Sequence, residues 1–572
     1  MDRNSLLAVA LSMLVFTSWA MYQAQKSSER VRESTEIAQP LESGEIESSA
    51  RSATADKSIA PDSDAPSEAP LDPAGPKAHA TAPEEQTAFA DSGGIETWER
   101  TFEVESYRVG LSNVGATLGF WELEGFAERT PAGDKPVRLI GERDGAVGAL
   151  ATPMLGLGVG DLSGARFAVT SESDSGASFV WQHQGIRVEK HYAFDPTGYG
   201  FTLTVSVLNG TDRTLRPTFD VLLPARAKEV GEFSEPGFAV LQEGGVEREP
   251  ISAGGFFGRS GVDEPVEYAG ELDWAAVEDK YFVRALLPDR PRTAIASYEP
   301  LEVTRTGVMS LGFEPVEIPA GQSVEHEFRG YIGPKRSSDL DAVNPSLELS
   351  VNRGYSFLQP LTRFFEWALH ALHAVVPNYG LAIILLTILV RLVTAPIMSK
   401  QMKSMERMRA VQPMLKELQE KYADDKQKQS EEMMALYRRE GVNPLGGCLP
   451  MLLQFPVFIG LFYALQSSFD LRQAGFMLWI DDLSAPESLF TIPGMDLPVR
   501  VLPLIMGASM VIQQKLTPTT ADPAQARMMM TIMPIMFTVL FYQFPSGLVL
   551  YWLVSNLLGI AHQLWVGRKL RQ

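Results

Sequence analysis

Five apolar stretches in the last third of the chain have about the length of a bilayer-spanning helix, which is roughly 20 residues. They are residues 377–398, 445–467, 499–514, 527–544 and 547–566. A sixth lies in residues 1–23, where Arg3 precedes the apolar run and no small-residue cleavage site follows it. That pattern is typical of an uncleaved signal anchor. The sequence therefore predicts a membrane α-helical protein with six transmembrane helices, the last five of which form a core.

Two segments of different character separate the signal anchor from this core. Residues 24–91 are rich in Ser, Ala, Pro and acidic residues and almost free of aromatic ones, which predicts a disordered acidic linker. In residues 92–345, short alternating runs such as Tyr107–Leu111 and Phe201–Leu208 are broken by Gly, Pro and Asp. Many short strands without helical patterns between them predict an all-β sandwich domain.

An amphipathic pattern precedes the first core span, in residues 356–373. Apolar positions, among them Phe365 and Leu372, recur at helical spacing, and polar residues such as Arg363 and Glu366 lie on the other side. Such a helix next to a membrane span suits the interface plane. A packing helix of the preceding domain is the alternative interpretation.

The charged residues 399–440 predict a helical hairpin outside the membrane. Apolar positions spaced 3, 4, 3 and 4 apart form a coiled-coil seam, and residues 423–425 break the first helix. Methionines on both arms could offer an adaptable apolar surface, with an ordinary hairpin seam as the commoner explanation. The candidate surface residues of the hairpin are Met408, Met414, Tyr422, Met433 and Met434.

Basic residues give the orientation of the spans. They are abundant in residues 399–440, whereas the loop of residues 468–498 contains Arg472 as its one basic residue among several acids. The tail, residues 567–572, contains further basic residues. The positive-inside rule therefore predicts that the hairpin and both termini are cytoplasmic, and that the β domain and the 468–498 loop are periplasmic.

Arg391 is the most unusual residue of these spans. It precedes Lys400 by nine positions, so helical rise puts it roughly 13 Å inside the hydrocarbon. An arginine at that depth is unfavourable unless it snorkels to the interface or faces a wet cavity. Thr387 extends the polar stripe inward by one turn, which favours the cavity. The other spans contribute large polar residues, including Gln454, Gln514 and Asn556, and Trp552 shares a helix face with Asn556.

Composition excludes several classes of function. The net charge of −20 argues against a DNA-binding surface. The chain lacks a GxxxxGK[ST] phosphate-binding loop, and one cysteine with scattered histidines makes neither a metal site nor a catalytic set. We therefore predict no cofactor, no metal and no enzyme activity. A secondary transporter or channel that uses Arg391 is the alternative to the function described next.

Several closely spaced motifs carry a resemblance to a known family. They are RLVTAPIMSKQMKSM, MMALYRREGVNPLGGCLPMLLQFPVF, LRQ…LWIDDLS and FPSGLVLYWLVSNLL, within Phe357–Arg568. This part of the chain resembles the YidC/Oxa/Alb family of membrane-protein insertases, in the long form of Gram-negative bacteria. The resemblance implies an inner-membrane protein that inserts, folds and assembles integral membrane proteins, alone or with the Sec translocon, without nucleotide hydrolysis.

The resemblance also implies a site and partners. The last five spans would enclose a hydrophilic groove open to the cytoplasm and the lipid bilayer, with the family's arginine at Arg391, its threonine at Thr387 and a glutamine at Gln454. Where relatives have a functional tyrosine this chain has Trp552, preceded by Tyr551. The implied partners are nascent integral membrane proteins, the Sec translocon, the ribosome and the signal-recognition-particle receptor. The outer domain resembles a sugar-binding supersandwich, without an implied reaction.

Overall fold

The structure is a computed structural model. It describes residues 95–571 except 131–132, 142–147, 227–235, 252–261, 263, 290–292, 302–305, 424, 442–448, 493–496 and 517–522. The predicted signal anchor and acidic linker lie outside the described residues.

The described part between Glu99 and Pro334 is built of β-strands. Their alternating burial follows from alternating sequence, as in Ile186–Phe194, where every second side chain is buried. The strands are β1 Glu99–Glu103, β2 Tyr107–Ser112, β3 Thr117–Thr130, β4 Gly133–Ile140, β5 Ala168–Ser173, β6 Gly176–His183, β7 Ile186–Phe194, β8 Gly200–Asn209, β9 Val221–Arg226, β10 Gly237–Gln242, β11 Gly245–Pro250, β12 Val266–Glu278, β13 Phe282–Pro288, β14 Thr293–Leu301, β15 Thr306–Phe313 and β16 Ser323–Pro334.

These strands form two antiparallel sheets around one core. The smaller sheet has the order β1-β2-β3-β4, and the larger has β5-β6-β7-β8-β16-β13-β12-β14-β15-β9, with β10 and β11 added beside β12. Stacked Tyr107 and Trp121, 4.0 Å apart, come from the smaller sheet, and Trp121 lies 6.1 Å from Phe194 of the larger one. The predicted all-β domain is confirmed.

The chain beyond the sheets is mainly helical. Its helices are α1 Ser337–Val343, α2 Gln359–Val375, α3 Tyr379–Lys421, α4 Lys426–Arg439, α5 Leu449–Ser467, α6 Val501–Leu516, α7 Pro523–Phe541 and α8 Ser546–Arg571. Two short strands, β17 Phe490–Ile492 and β18 Leu497–Val499, pair as a hairpin within the loop that joins α5 to α6. Among the described residues, Tyr379–Lys400 and Ser546–Val566 meet the length and hydropathy of a membrane span, and Val501–Leu516 and Thr531–Phe541 are shorter apolar helices. The count of six spans therefore stays a prediction.

Helix α3 joins what the sequence predicts as two elements, the span of residues 377–398 and the first arm of the hairpin. It is continuous over 43 residues and contains Pro396 and Pro413. Near Pro396, the hydroxyls of Thr394 and Ser399 donate to backbone carbonyls one turn earlier, at 2.9 and 2.8 Å. Polar side chains of this kind help a helix to tolerate proline in an apolar environment. The first arm of the hairpin thus continues the span as one helix.

The β domain and the helices are joined by the loop of residues 468–489, which follows α5. Phe469 from this loop is buried in the core of the β domain, with its ring 5.4 Å from Phe126 and 5.8 Å from Phe282. Arg472 donates to the carbonyl of Ala127 at 2.6 Å. The loop is therefore docked on the β domain.

A chain of ion pairs and hydrogen bonds also links the segment between α1 and α2 to the helices. Arg353, in the segment before α2, donates to Glu348 at 3.1 Å and to Glu366 of α2 at 3.0 Å. Ser467, at the end of α5, donates to the other oxygen of Glu366 at 3.0 Å. Helix α2 buries Phe365 among the core helices, so it packs on them whatever its relation to the membrane plane.

Candidate functional site

A cavity of about 670 Å³ lies among helices α3, α5, α6, α7 and α8. Its lining combines apolar side chains, four of them methionines, with the large polar residues of the spans. The polar lining residues are Arg391, Gln454, Gln513, Gln514, Ser555, Asn556, His562 and Gln563. Buried polar groups in an apolar environment are costly unless they are hydrogen-bonded or hydrated, so this lining favours a water-filled space.

Arg391 is fixed on one wall of the cavity by a hydroxyl from another helix. Its Nε and Nη2 both donate to Ser555 Oγ of α8, at 3.0 and 2.6 Å. Gly559, one turn further along α8, leaves room for the Gln513 side chain, because an added Cβ would lie 2.9 Å from Gln513 Nε2, whereas it would lie at ordinary contact distance, 3.9 Å, from Arg391 Nη2. Among the described residues, Arg391 has no carboxylate partner, and α3 to Ser399, α5, α6, α7 and α8 contain neither Asp nor Glu. The positive charge is thus held without an internal counter-ion.

Three further polar contacts join the helices around the cavity. Gln454 donates to the Tyr551 hydroxyl at 3.4 Å, and Asn556 donates to Ser509 Oγ at 3.0 Å. Near the α3 end of the hairpin, Ser399 Oγ lies 3.0 Å from His562 Nε2. The side-chain oxygen of Gln514 is buried without a hydrogen-bond partner among the described residues. That oxygen is an acceptor available to water or to a polar group that enters.

Trp552 belongs to an aromatic wall. Its ring centroid is 4.9 Å from both Phe458 of α5 and Phe541 of α7. Tyr551, the neighbouring residue, is buried. The cavity lining thus contains a buried hydroxyl at Tyr551 and an aromatic ring at the adjacent Trp552.

The cavity lies between the helices along one half of their length, and apolar side chains fill the space between them along the other half. On α3 the lining runs from Ile388 to Met402, towards the hairpin. The preceding turns, with Ile383 and Leu386, are buried in an apolar cluster that includes Leu483 of the 468–489 loop and Leu548 of α8. The cluster closes the end nearest the β domain. Leu392 lines the cavity with 66% of its surface exposed, so the side along α3 is open.

Comparisons with known proteins identify the family. The chain is 33% identical over 504 residues to the protein named membrane protein insertase YidC of Syntrophus aciditrophicus, covering 86% of this chain and 88% of that one. It is 32% identical over 585 residues to the protein of the same name from Pelobacter propionicus, covering 99% of both. The chain belongs to the YidC family. The alternative of a secondary transporter or channel is not favoured by these relatives.

Two family models and one solved structure also match. The model described as 60Kd inner membrane protein matches residues 371–572, and the YidC periplasmic domain model matches residues 100–368. A crystal structure of an active YidC insertase with its first transmembrane domain resolved is 21% identical and covers 81% of this chain and 91% of its own, with a TM-score of 0.34. The YidC family is one of bacterial inner-membrane insertases rather than catalytic enzymes, with a periplasmic all-β domain and a helical C-terminal region.

The predicted groove residues of this YidC-family chain fall in two places. Six of them line the cavity: Arg391, Gln454, Gln514, Tyr551, Trp552 and Asn556. Thr387 is not among the lining residues, because it is buried one turn inside and its hydroxyl donates to the carbonyl of Ile383 at 2.6 Å. Ser555 and His562 are lining residues that the sequence reasoning missed. Helical spacing could have indicated Ser555, which lies one turn after Tyr551.

The hairpin methionines fall on both its buried and its exposed faces. Met408 is buried in a cluster with Val411 of its own arm and Leu436 of the opposite arm, as expected for a residue of the coiled-coil seam. Met414 and Met434 are exposed, and Met433 is half-buried. Tyr422 lies at the tip, where the ammonium groups of Lys421 and Lys428 lie 5.3 and 5.6 Å from its ring centroid. The exposed methionines remain candidates for a contact surface.

Proposed function

We propose that this chain inserts integral membrane proteins by passing the polar tail of a client through the cavity while the client's apolar helix leaves towards lipid. The observation that carries the proposal is the cavity itself, with Arg391 held by Ser555 and without a carboxylate partner among the described residues. Exposed Leu392 on α3 supports an exit to the side for the apolar helix. Assistance in folding and assembly of the client follows from the same sheltered position.

The energetics of this step need no nucleotide. A hydrated cavity at half depth shortens the low-dielectric path of the tail and so reduces the desolvation of its polar groups. Arg391 attracts acidic residues of the tail, and the attraction is stronger away from bulk water. Transfer of each large apolar residue of the client into lipid contributes about −0.3 to −0.6 kcal/mol. The client's own helix therefore drives the reaction.

We infer a topology of six spans, with both termini and the hairpin in the cytoplasm and the β domain and 468–498 loop in the periplasm. The basic residues of the hairpin support this orientation. The filled end of the cavity lies next to the loop that docks on the β domain, which is consistent with a groove closed towards the periplasm. In this topology, six of the seven predicted groove residues would contact the client from the cavity lining. Thr387 would support the helical turn that carries Arg391.

The proposed partners would contact the chain at the hairpin and at the open side of the cavity along α3. Nascent membrane proteins would meet the hairpin, whose exposed Met414 and Met434 offer apolar contacts. The hairpin is also the proposed contact for the ribosome and the signal-recognition-particle receptor. The Sec translocon would hand over helices through the side along α3, next to the lipid bilayer. No direct contact with DNA is proposed.

Reconstitution of the purified chain into liposomes tests this function. We expect a short membrane-protein client to reach a protease-protected, membrane-spanning state without nucleotide. Empty liposomes, and liposomes with the chain in which Arg391 and Ser555 are both replaced by Ala, serve as controls. Failure of the wild-type chain to insert any client above the empty liposomes would contradict the proposal.

A further inference from the structure

The loop between α5 and α6 exposes apolar side chains at the end of the helices nearest the β domain. Leu478 is 82% exposed, the largest fraction among the exposed large hydrophobic residues in the described part of the chain. It lies at the tip of a turn in which Phe476 N–H donates to the carbonyl of Ile480 at 2.9 Å. Its φ of 60° is rare for a residue with a side chain, and such outliers are concentrated at functional positions.

The position of this turn is fixed relative to the first apolar span. Asn378 Nδ2 donates to the carbonyl of Phe476 at 3.3 Å, and Phe476 packs on Gly380, where an added Cβ would lie 2.0 Å from its ring. The span Tyr379–Lys400 begins at this point. Leu478, two residues beyond Phe476, is therefore held at the level where the apolar helix starts.

The β17–β18 hairpin presents a second apolar surface at the same end of the helices. Phe490 pairs with Val499, and Ile492 pairs with Leu497, so these four side chains lie on one face. The opposite face carries Thr491 and Pro498, which also pair. Phe490 is 55% exposed, and Leu497 is exposed as well. One face of the hairpin is thus apolar and open.

The apolar surface continues into the side of the helices. Strand β18 ends just before α6, whose first turns expose Leu504 and Ile505. In a chain of an inner-membrane family, such side chains on an apolar helix contact lipid. The apolar hairpin is thus directly followed in sequence by a helix with lipid-facing side chains.

We propose that Leu478 and the apolar face of the β17–β18 hairpin dock on the outer leaflet of the bilayer, with phospholipid as the partner. This docking proposal rests on the proposed topology, in which the loop is periplasmic. Residues 468–498 of the loop contain Asp470, Asp481, Asp482, Glu487 and Asp496 against the single basic residue Arg472. Attraction to anionic headgroups therefore does not contribute to docking. The favourable contribution comes from burial of apolar side chains at the boundary between headgroups and acyl chains. The docked loop holds the closed end of the groove at the membrane surface.

The experiment uses an environment-sensitive NBD dye on single cysteines in the full chain, reconstituted in liposomes, with the native cysteine removed by Cys448→Ser. Leu478→Cys and Phe490→Cys are the test positions. Thr491→Cys is the matched control, since it is exposed on the opposite face of the same strand. Lipids with a nitroxide near the headgroup, or near the end of the acyl chain, act as quenchers.

We expect blue-shifted emission at both test positions, with stronger quenching by the headgroup nitroxide, equally in zwitterionic and in partly anionic liposomes. The control should show water-like emission. Water-like emission at both test positions would overturn the proposal, and so would a blue shift without lipid quenching, which would indicate a second copy or another protein on the surface.

The proposed topology is tested separately by the control position. Thr491→Cys should react with a membrane-impermeant maleimide from the periplasmic side. If it reacts from the cytoplasmic side, the topology is wrong. If it reacts from the periplasmic side and the test positions are not quenched, the docking proposal alone is wrong.

Discussion

Phe469→Ala is expected to weaken the attachment of the helical region to the β domain. Phe469 is 8% exposed and packs against Phe126, Phe282 and Tyr281 at centroid distances of 5.4, 5.8 and 6.3 Å. The Arg336 guanidinium lies 5.3 Å from its ring. Truncation of this side chain removes the three ring contacts and the cation–π contact together.

The expected magnitude follows from this burial. Truncation of a buried Phe to Ala costs about 3–5 kcal/mol, of which each aromatic pair supplies about 0.5–1.5 kcal/mol. For a domain of this size, 1 kcal/mol changes Tm by about 2–4 °C, so the β domain should unfold about 6–20 °C lower. The lower end is the better expectation, because Arg472, Gln473 and Lys280 still hydrogen-bond across the contact.

The assay is thermal unfolding of the full chain in detergent, with hydrogen exchange of the β12–β13 turn as a local measure. Phe364→Ala is the matched control, since that ring is on α2 and half of it is exposed. Exchange should increase near Phe282 in Phe469→Ala and stay unchanged in the control. Equal Tm and equal exchange in the two variants would refute the inference that the loop is anchored in the β domain.

Three other outcomes are expected. Ser555→Ala should lower insertion of acidic-tailed clients by up to about tenfold, because a hydrogen bond to a charged group contributes about 1.5–3 kcal/mol and water replaces part of it, whereas Ser555→Thr should keep most activity. Replacement of Lys403–Arg438 by a short Gly/Ser bridge should impair client capture in crosslinking more than it lowers Tm. Glu278→Gln should destabilise the β domain at pH 7 by about 3–5 kcal/mol, because buried Lys335 loses its partner at 2.8 Å.

The contribution of Glu278 to the stability of the β domain should decrease at low pH. Burial alone would raise the pKa of Glu278, but Lys335 and Arg248 together lower it below its usual value. A depressed folded-state pKa stabilises the fold above the unfolded-state pKa of about 4.3, and this stabilisation is lost as the pH falls through the folded-state value. Urea unfolding should show the wild-type advantage over Glu278→Gln shrinking below about pH 4.3. A difference independent of pH would contradict the ion-pair explanation.

The sequence predicted the class and order of the elements because hydrophobic periodicity is a local property. Alternation along β7 and the seam through Met408 are both read from neighbouring residues. The continuity of α3 was not predicted, because the span and the first arm of the hairpin were separated where the sequence changes from apolar to charged residues, and that change does not end the helix. The burial of Phe469 in the β domain depends on a contact between parts of the chain that are distant in sequence.

The candidate site, likewise, was predictable from local sequence but not where it depends on contacts between distant residues. The depth of Arg391 follows from helical rise and the position of Lys400 alone. Its partner Ser555 lies 164 positions away, so only packing of α3 against α8 could reveal it. Thr387 shares the arginine's side of α3, but the cavity ends before that turn because Leu386 and its neighbours fill the space.

The central claim is that the charge of Arg391, which has no carboxylate partner in the described part of the chain, acts on the client's tail. The measurement is insertion, in proteoliposomes, of two clients that differ only in whether their translocated tail is acidic or neutral, by Arg391→Ala, Arg391→Lys and Arg391→Gln variants of equal abundance. We expect Arg391→Ala and Arg391→Gln to lose about tenfold or more on the acidic tail, corresponding to about 1.4 kcal/mol, and to lose little on the neutral one. Arg391→Lys should retain much of the activity, since a point charge suffices for attraction. Equal insertion of both clients by Arg391→Ala would contradict the claim.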